Sequence, residues 1–89
     1  MARLDFTSRE MVECAAQGGA PDALFELGLM YCSGRDVELD LVQAHKWFNL
    51  AAVRGNAEAK TYRQEISSEM TKAQVADAQR QAREWIRLH

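Results

Sequence analysis

Apolar residues recur at intervals of three and four along most of the chain, which is the spacing of one face of an α-helix. One such set comprises Ala23, Leu24, Leu27, Met30 and Tyr31, and the next comprises Leu41, Ala44, Trp47, Phe48, Ala51 and Ala52. No run alternates between apolar and polar residues for long enough to predict a strand. The pattern therefore predicts an all-α fold of about five helices.

Polar capping residues and glycines divide this pattern into segments. Capping boxes, N-caps and a first-turn proline predict helix starts at Thr7 with Glu10, Pro21, Asp40, Asn56, and Thr71 with Gln74. Gly34 and Gly55 follow predicted helices, where a left-handed glycine commonly ends the helix. We therefore predict one domain, composed of an N-terminal helix 7–19, a two-helix unit 21–55, a helix 56–70, a C-terminal helix 71–87 and a free tail 88–89.

Part of the chain repeats itself at an offset of 36 residues. At this offset Ala15-Ala16 aligns with Ala51-Ala52, Gly19 with Gly55, and Ala23 with Ala59. A period of this length, built on two helices, is typical of stacked helix pairs. We therefore predict a short α-solenoid with one full repeat, flanked by half-repeats and closed by a C-terminal capping helix.

The repeat carries a recognisable motif. The residues Ala23-x-x-x-Leu27-Gly28-x-x-Tyr31-x-x-Gly34, followed by Asp40-x-x-x-Ala44-x-x-Trp47-x-x-x-Ala51-Ala52-x-x-Gly55-x-x-x-Ala59, resemble the Sel1-like repeat, a relative of the tetratricopeptide repeat. Gly28 is expected to let the paired helices touch, and Asp36 stands where the family usually has a second loop glycine. The resemblance implies a scaffold or regulator that binds proteins and has no catalytic activity.

Composition excludes several other classes of protein. The chain is 47% hydrophobic and 27% charged, with a net charge of −2, which argues against a nucleic-acid binder and against disorder. The N-terminal residues lack the apolar stretch of a signal peptide, and no apolar run is long enough to cross a membrane. We therefore expect a cytoplasmic protein with neither nucleic acid nor membrane as a partner.

Candidate chemical groups are few. His45 and His89 lack a metal-ligand partner at helical spacing, so we predict no metal and no cofactor, and we expect His45 on the flank of its helix. Cys14 aligns with Leu50 in the repeat, which predicts a packed apolar position. Cys32 is expected to be partly exposed, and a redox-sensing role for its thiol remains a minor alternative. The sequence therefore predicts a protein that is not an enzyme.

The strongest candidate binding segment is the C-terminus, with predicted partner-binding residues Trp85, Ile86, Arg87, Leu88 and His89. Val75, Ala78, Ala82, Trp85 and Ile86 share one face of the last helix, which is expected to cap the solenoid. Leu88 falls off that face and His89 follows it. For these two residues, ordinary fraying and a recognition tail both remain open.

The length and the C-terminal segment also resemble small, stress-induced bacterial Sel1-like regulators of the AAA+ protease Lon. This resemblance implies an allosteric activator that is also a Lon substrate, with Leu88 and His89 supplying a hydrophobic docking element and degron. The alternative is a generic scaffold that binds a peptide or helix of a signalling or assembly partner on its concave face. Exposed half-repeats at either end would allow a monomer or a weak homodimer.

Overall fold

Five α-helices make up the described part of the chain. The computed structural model describes residues 8–89, with α1 (Ser8–Gln17), α2 (Pro21–Ser33), α3 (Leu41–Val53), α4 (Ala57–Ser67) and α5 (Lys72–Leu88). No β-strand occurs within residues 8–89. The predicted all-α fold is therefore confirmed, whereas the capping box predicted at Thr7 lies outside the described residues.

Three of the predicted helix starts have side-chain caps. The side chains of Asp40 and Asn56 accept hydrogen bonds from the backbone N–H groups three residues later, at 3.1 and 3.0 Å. Thr71 and Gln74 form a reciprocal capping box, with distances of 3.1 and 2.9 Å between side-chain and backbone atoms. Each contact satisfies a donor that the helix itself leaves unpaired, so these local residues fix where α3, α4 and α5 begin.

Helix α4 ends earlier than predicted, at Ser67 rather than at residue 70. The hydroxyls of Ser67 and Ser68 donate to the carbonyls of Arg63 and Glu65, at 2.8 and 2.7 Å. The backbone N–H groups of residues 68–70 bond three residues back instead of four. Serine hydroxyls compete with the helical ladder, and the chain tightens into a turn before α5.

The hydrophobic core lies mainly between α2 and α3. Its largest fully buried apolar side chains are Leu24, Leu27, Met30, Phe48 and Leu50. A Cβ atom on Gly28 would lie 2.4 Å from two ring atoms of Phe48, so the absence of a side chain there lets α2 and α3 touch as predicted. Helix α1 packs on α2, while α3 also packs against α4 and α5. The result is a short all-α solenoid with α3 at its centre.

The loop between α2 and α3 depends on two left-handed residues. Gly34 has φ of 74° and Asp36 has φ of 63°, and Asp36 occupies the position where the family usually has a glycine. Aspartate tolerates this conformation better than most residues, because its short side chain can bond locally. The loop then returns to α2 through a hydrogen bond from the Asp40 N–H to the Tyr31 carbonyl, at 3.0 Å. The chain therefore keeps the turn although its second glycine is replaced.

Candidate functional site

Trp85 anchors the C-terminal segment rather than projecting from it. Its side chain is buried, and its ring meets the edge of Trp47 with centroids 6.4 Å apart and planes at 80°. The guanidinium carbon of Arg54 lies 5.6 Å from the Trp85 ring centroid, within cation–π range. Ala78 and Ala82 are fully buried on the same face of α5. This face therefore packs the last helix onto α3, which is the capping role expected from its sequence.

His89 is held in place by three contacts. Its ring stacks on Trp85, with centroids 3.9 Å apart and planes within 8°. Its Nδ1 lies 2.9 Å from the Trp85 carbonyl oxygen, and its Nε2 lies 3.0 Å from Oε1 of Gln17 on α1. We expected residues 88–89 to form a free tail, but Leu88 belongs to α5 and His89 bridges to α1. His89 is ordered because stacking on Trp85 and contacts with two polar partners offset the entropy cost of fixing its side chain.

The remaining predicted partner-binding residues are exposed. Leu88 is 69% exposed and Ile86 is 46% exposed, while Arg87 forms an ion pair with Glu84 one turn earlier on α5. The structure therefore separates the five predicted residues into an anchor, formed by Trp85 and His89, and an exposed part formed by the other three. Leu88 and Ile86 thus leave apolar side chains exposed near the end of α5.

Leu88 also borders a groove between α3 and α5. The groove has a volume of about 190 Å³ and is lined by Lys46, Arg80, Gln81, Glu84, Trp85, Leu88 and His89. A hydrogen bond of 2.9 Å between the side chains of Gln43 and Gln81 joins the two helices beside it. Lys46 was not among the predicted site residues, because nothing in the repeat pattern indicates that α5 would lie across this part of α3. At this groove, Lys46 of α3 therefore lies beside residues of the C-terminal segment.

A second cleft lies between α1, α2 and α3. Its volume is about 230 Å³, and its lining residues are Glu13, Ala16, Gln17, Leu27, Tyr31 and Trp47. Tyr31 and Trp47 are partly buried, and the indole N–H of Trp47 has no hydrogen-bond partner among residues 8–89. Both aromatic residues were predicted as motif residues. Nothing in the sequence pattern indicates that Glu13 and Gln17 line a cleft with them. This cleft brings residues of three helices together on the helix stack.

His45 is buried, contrary to the expectation that it would lie on the flank of α3. It is 2% exposed, and its Nε2 lies 3.1 Å from Oγ of Ser67, a hydroxyl that itself donates to the Arg63 carbonyl. Nε2 therefore carries the proton and donates to Ser67. Burial, with a contribution from the positive charge of Arg63, lowers the pKa of His45. The residue joins α3 to α4 as a neutral hydrogen-bonding group.

The two cysteines differ from each other. Cys14 is exposed, which corrects the expected packed position, because this residue lies on a side of α1 that meets solvent. Cys32 is half-buried, in agreement with its expected partial exposure, and its Sγ lies 3.4 Å from the Leu29 carbonyl oxygen. Burial raises the pKa of Cys32. A thiol with a raised pKa has little thiolate at neutral pH, so the geometry favours a structural role for it.

Neither metal-binding clusters nor membrane spans are found in the part of the chain that the structure describes. Within residues 8–89, no group of three or more His, Cys, Asp or Glu side chains is arranged to hold a metal ion. No described helix is long and apolar enough to cross a membrane.

Comparison with known proteins agrees with a helical-repeat class. The chain is similar to alginate biosynthesis protein AlgK of Azotobacter vinelandii, with 32% identity over 75 residues. The match covers 78% of this chain and 16% of AlgK, so the chain corresponds to a small segment of that relative. No family model matches the chain. The similarity supports, at the level of the class, the Sel1-like repeat proposed from the motif at residues 23–59.

Proposed function

We propose that the chain is a non-enzymatic protein-interaction module of the Sel1-like type that regulates the AAA+ protease Lon through its segment 85–89. The observation that carries the proposal is the exposed Leu88 on an ordered helix, beside the anchored pair of Trp85 and His89. The similarity to AlgK supports the interaction class only. Lon comes from the resemblance of the chain to LarA, a small alphaproteobacterial Lon regulator and substrate. The proposal also assigns the protein to the bacterial cytoplasm.

Physically, the exposed segment provides both affinity and a route to activation. Burying a leucine side chain such as Leu88 in a partner pocket stabilises a complex by about 2 kcal/mol. Because His89 already orders the last turn of α5, little further entropy is lost when the segment docks. If the docking surface of Lon exists mainly in the active conformation, binding shifts the protease towards that conformation.

The experiment that tests this proposal is the degradation of a test substrate by purified Lon, with the intact protein or with variants added. Leu88→Ser and a chain lacking Leu88 and His89 are compared with Leu39→Ser, a matched control at a loop leucine that is 61% exposed. Loss of about 2 kcal/mol weakens binding about 30-fold, so Leu88→Ser should need a correspondingly higher concentration to stimulate Lon. Circular dichroism confirms that each variant remains helical.

The outcomes separate the proposal from its alternatives. Stimulation by the intact protein and by Leu39→Ser, but not by Leu88→Ser, supports docking through the segment, and slower degradation of the Leu88→Ser protein itself supports its role as a degron. If the intact protein neither alters the rate nor is degraded, Lon is the wrong partner.

The alternative is a scaffold that binds a peptide or helix of a signalling or assembly partner on its concave face, for which we propose the cleft between α1, α2 and α3 as the binding site. The specific observation that favours it is that two aromatic side chains, Tyr31 and Trp47, line this cleft. Glu13→Arg places a bulky cation in this cleft, which Leu88 does not line. Loss of partner binding in Glu13→Arg together with retention in Leu88→Ser would favour the cleft.

A further inference from the structure

The groove between α3 and α5 is lined by both apolar and charged side chains. Trp85 and Leu88 from α5 provide apolar surface in this groove. Lys46 from α3 faces them across the groove. The groove therefore offers both an apolar contact and a polar contact within the same small volume.

The charged groups of α5 that line this groove already have partners. Arg80 forms an ion pair with Asp77 at 2.6 Å, and Glu84 forms one with Arg87. Each of these pairs is neutral overall. Their charges therefore do not supply a partner for Lys46.

Lys46 is the charge that remains uncompensated in the groove. Its ammonium lies 4.3 Å from the centroid of the Trp47 ring, and it forms no ion pair with any carboxylate within residues 8–89. Burial lowers the pKa of Lys46, because the charged form loses hydration. A partly desolvated ammonium with only a ring contact is stabilised by an incoming carboxylate.

We infer that this groove is a docking site for a segment of a partner protein in which an apolar side chain stands next to an acidic one. The apolar side chain contacts Trp85 and Leu88, and the carboxylate accepts a hydrogen bond from the ammonium of Lys46. The inference rests on the proposed interaction function and makes Lys46 the residue that selects an acidic segment. Charge complementarity favours this occupant over a purely apolar one, which would bury Lys46 without a counter-charge.

The test uses two hexapeptides, acetyl-Gly-Ala-Leu-Glu-Ala-Gly-amide and its glutamine counterpart, titrated into the ¹⁵N-labelled protein. The chemical shifts of the Trp85 indole and of the Leu88 amide report occupation of the groove. Because a partly exposed ion pair contributes up to about a fivefold change in affinity, the glutamate peptide should bind about three- to fivefold more tightly at low salt. The preference should disappear in Lys46→Met and persist in Lys60→Met, a control at an exposed lysine on α4.

Each outcome bears on the inference independently of Lon. A preference for glutamate that depends on Lys46 and weakens with salt supports the docking site. Equal binding of the two peptides, shifts away from the groove, no binding of either peptide, or a preference that survives Lys46→Met would overturn it. The comparison of the two peptides on the unmodified protein stands even if Lys46→Met fails to fold. A protein that discriminates between the peptides but leaves Lon unaffected would retain the docking site and remove Lon as its partner.

Discussion

Replacement of Gly28 by alanine tests the closest contact in the fold. The new methyl group would lie 2.4 Å from Cδ1 and Cε1 of Phe48, a ring that is fully buried. Carbon atoms in ordinary contact are about 3.5–4.0 Å apart, so the ring or the helix must move by about 1 Å. Phe48 also touches Phe25 and Tyr62, with ring centroids 5.7 and 5.5 Å away, so it has little room to move.

Two opposing effects set the magnitude. Overpacking a core costs about 1–3 kcal/mol, and the short distance at Gly28 favours the upper end of that range. Alanine is about 1 kcal/mol more favourable than glycine within a helix, which offsets part of the cost. We therefore expect a net loss of about 2 kcal/mol in the free energy of unfolding. For a domain of this size the melting temperature should fall by about 8–16 °C.

The measurement is thermal and urea denaturation followed by circular dichroism. Gly18→Ala serves as the matched control, because a methyl group there meets only the Ala15 carbonyl oxygen at an ordinary 3.4 Å. In a Gly28→Ala, Phe48→Leu double variant, the smaller leucine side chain should relieve part of the clash. The stability losses of the two single variants should then not add up to that of the double variant. A melting temperature for Gly28→Ala equal to or above that of the unmodified protein would refute the steric reasoning.

Two further predictions concern ionisable side chains. The folded protein lowers the pKa of His45, so the unfolded chain binds more protons than the folded one once the pH drops below the ordinary pKa of 6.5. The free energy of unfolding should therefore decrease as the pH falls below that value. In urea unfolding measured at several pH values, His45→Gln should show a smaller decrease. An unchanged profile in the variant would assign the pH dependence to other groups. Iodoacetamide at pH 7.5 should alkylate exposed Cys14 faster than Cys32, because burial shields Cys32 and raises its pKa. Mass spectrometry of timed samples measures the two rates, and faster modification of Cys32 would contradict this interpretation.

The sequence predicts the local features of the fold well, because their causes are local. Asp40, Asn56 and the pair Thr71 with Gln74 each cap a helix through contacts within three residues, so their roles follow from spacing alone. The Gly28 contact also follows, because the repeat motif implies which helices pair. The early end of α4 is not predicted, because the helical pattern of the sequence extends to residue 70. The helix ends earlier because the hydroxyls of Ser67 and Ser68 bond backbone carbonyls of its last turns.

The candidate site could be predicted only in part. The apolar character of the C-terminal segment is visible in the sequence, but the position of His89 depends on Gln17, which lies 72 residues earlier. The placement of Lys46 beside Leu88 likewise depends on how α5 crosses α3. Cys14 shows the same limit, because alignment with Leu50 in the repeat does not reveal that Cys14 lies on a solvent-facing side of α1. Contacts between distant elements require the packed structure.

The bridge between His89 and Gln17 has a consequence for how the molecule unfolds. In a stack where each helix contacts its neighbours, the end helices can detach independently, and unfolding then spreads inward from either end. Here the hydrogen bond joins the last helix to the first across α3, so opening one end also removes a contact from the other. The two ends are thereby coupled, and a partner that pulls His89 away from Trp85 would loosen α1 as well as α5. Docking at one end of the stack would then be transmitted to the opposite end as a change in local stability.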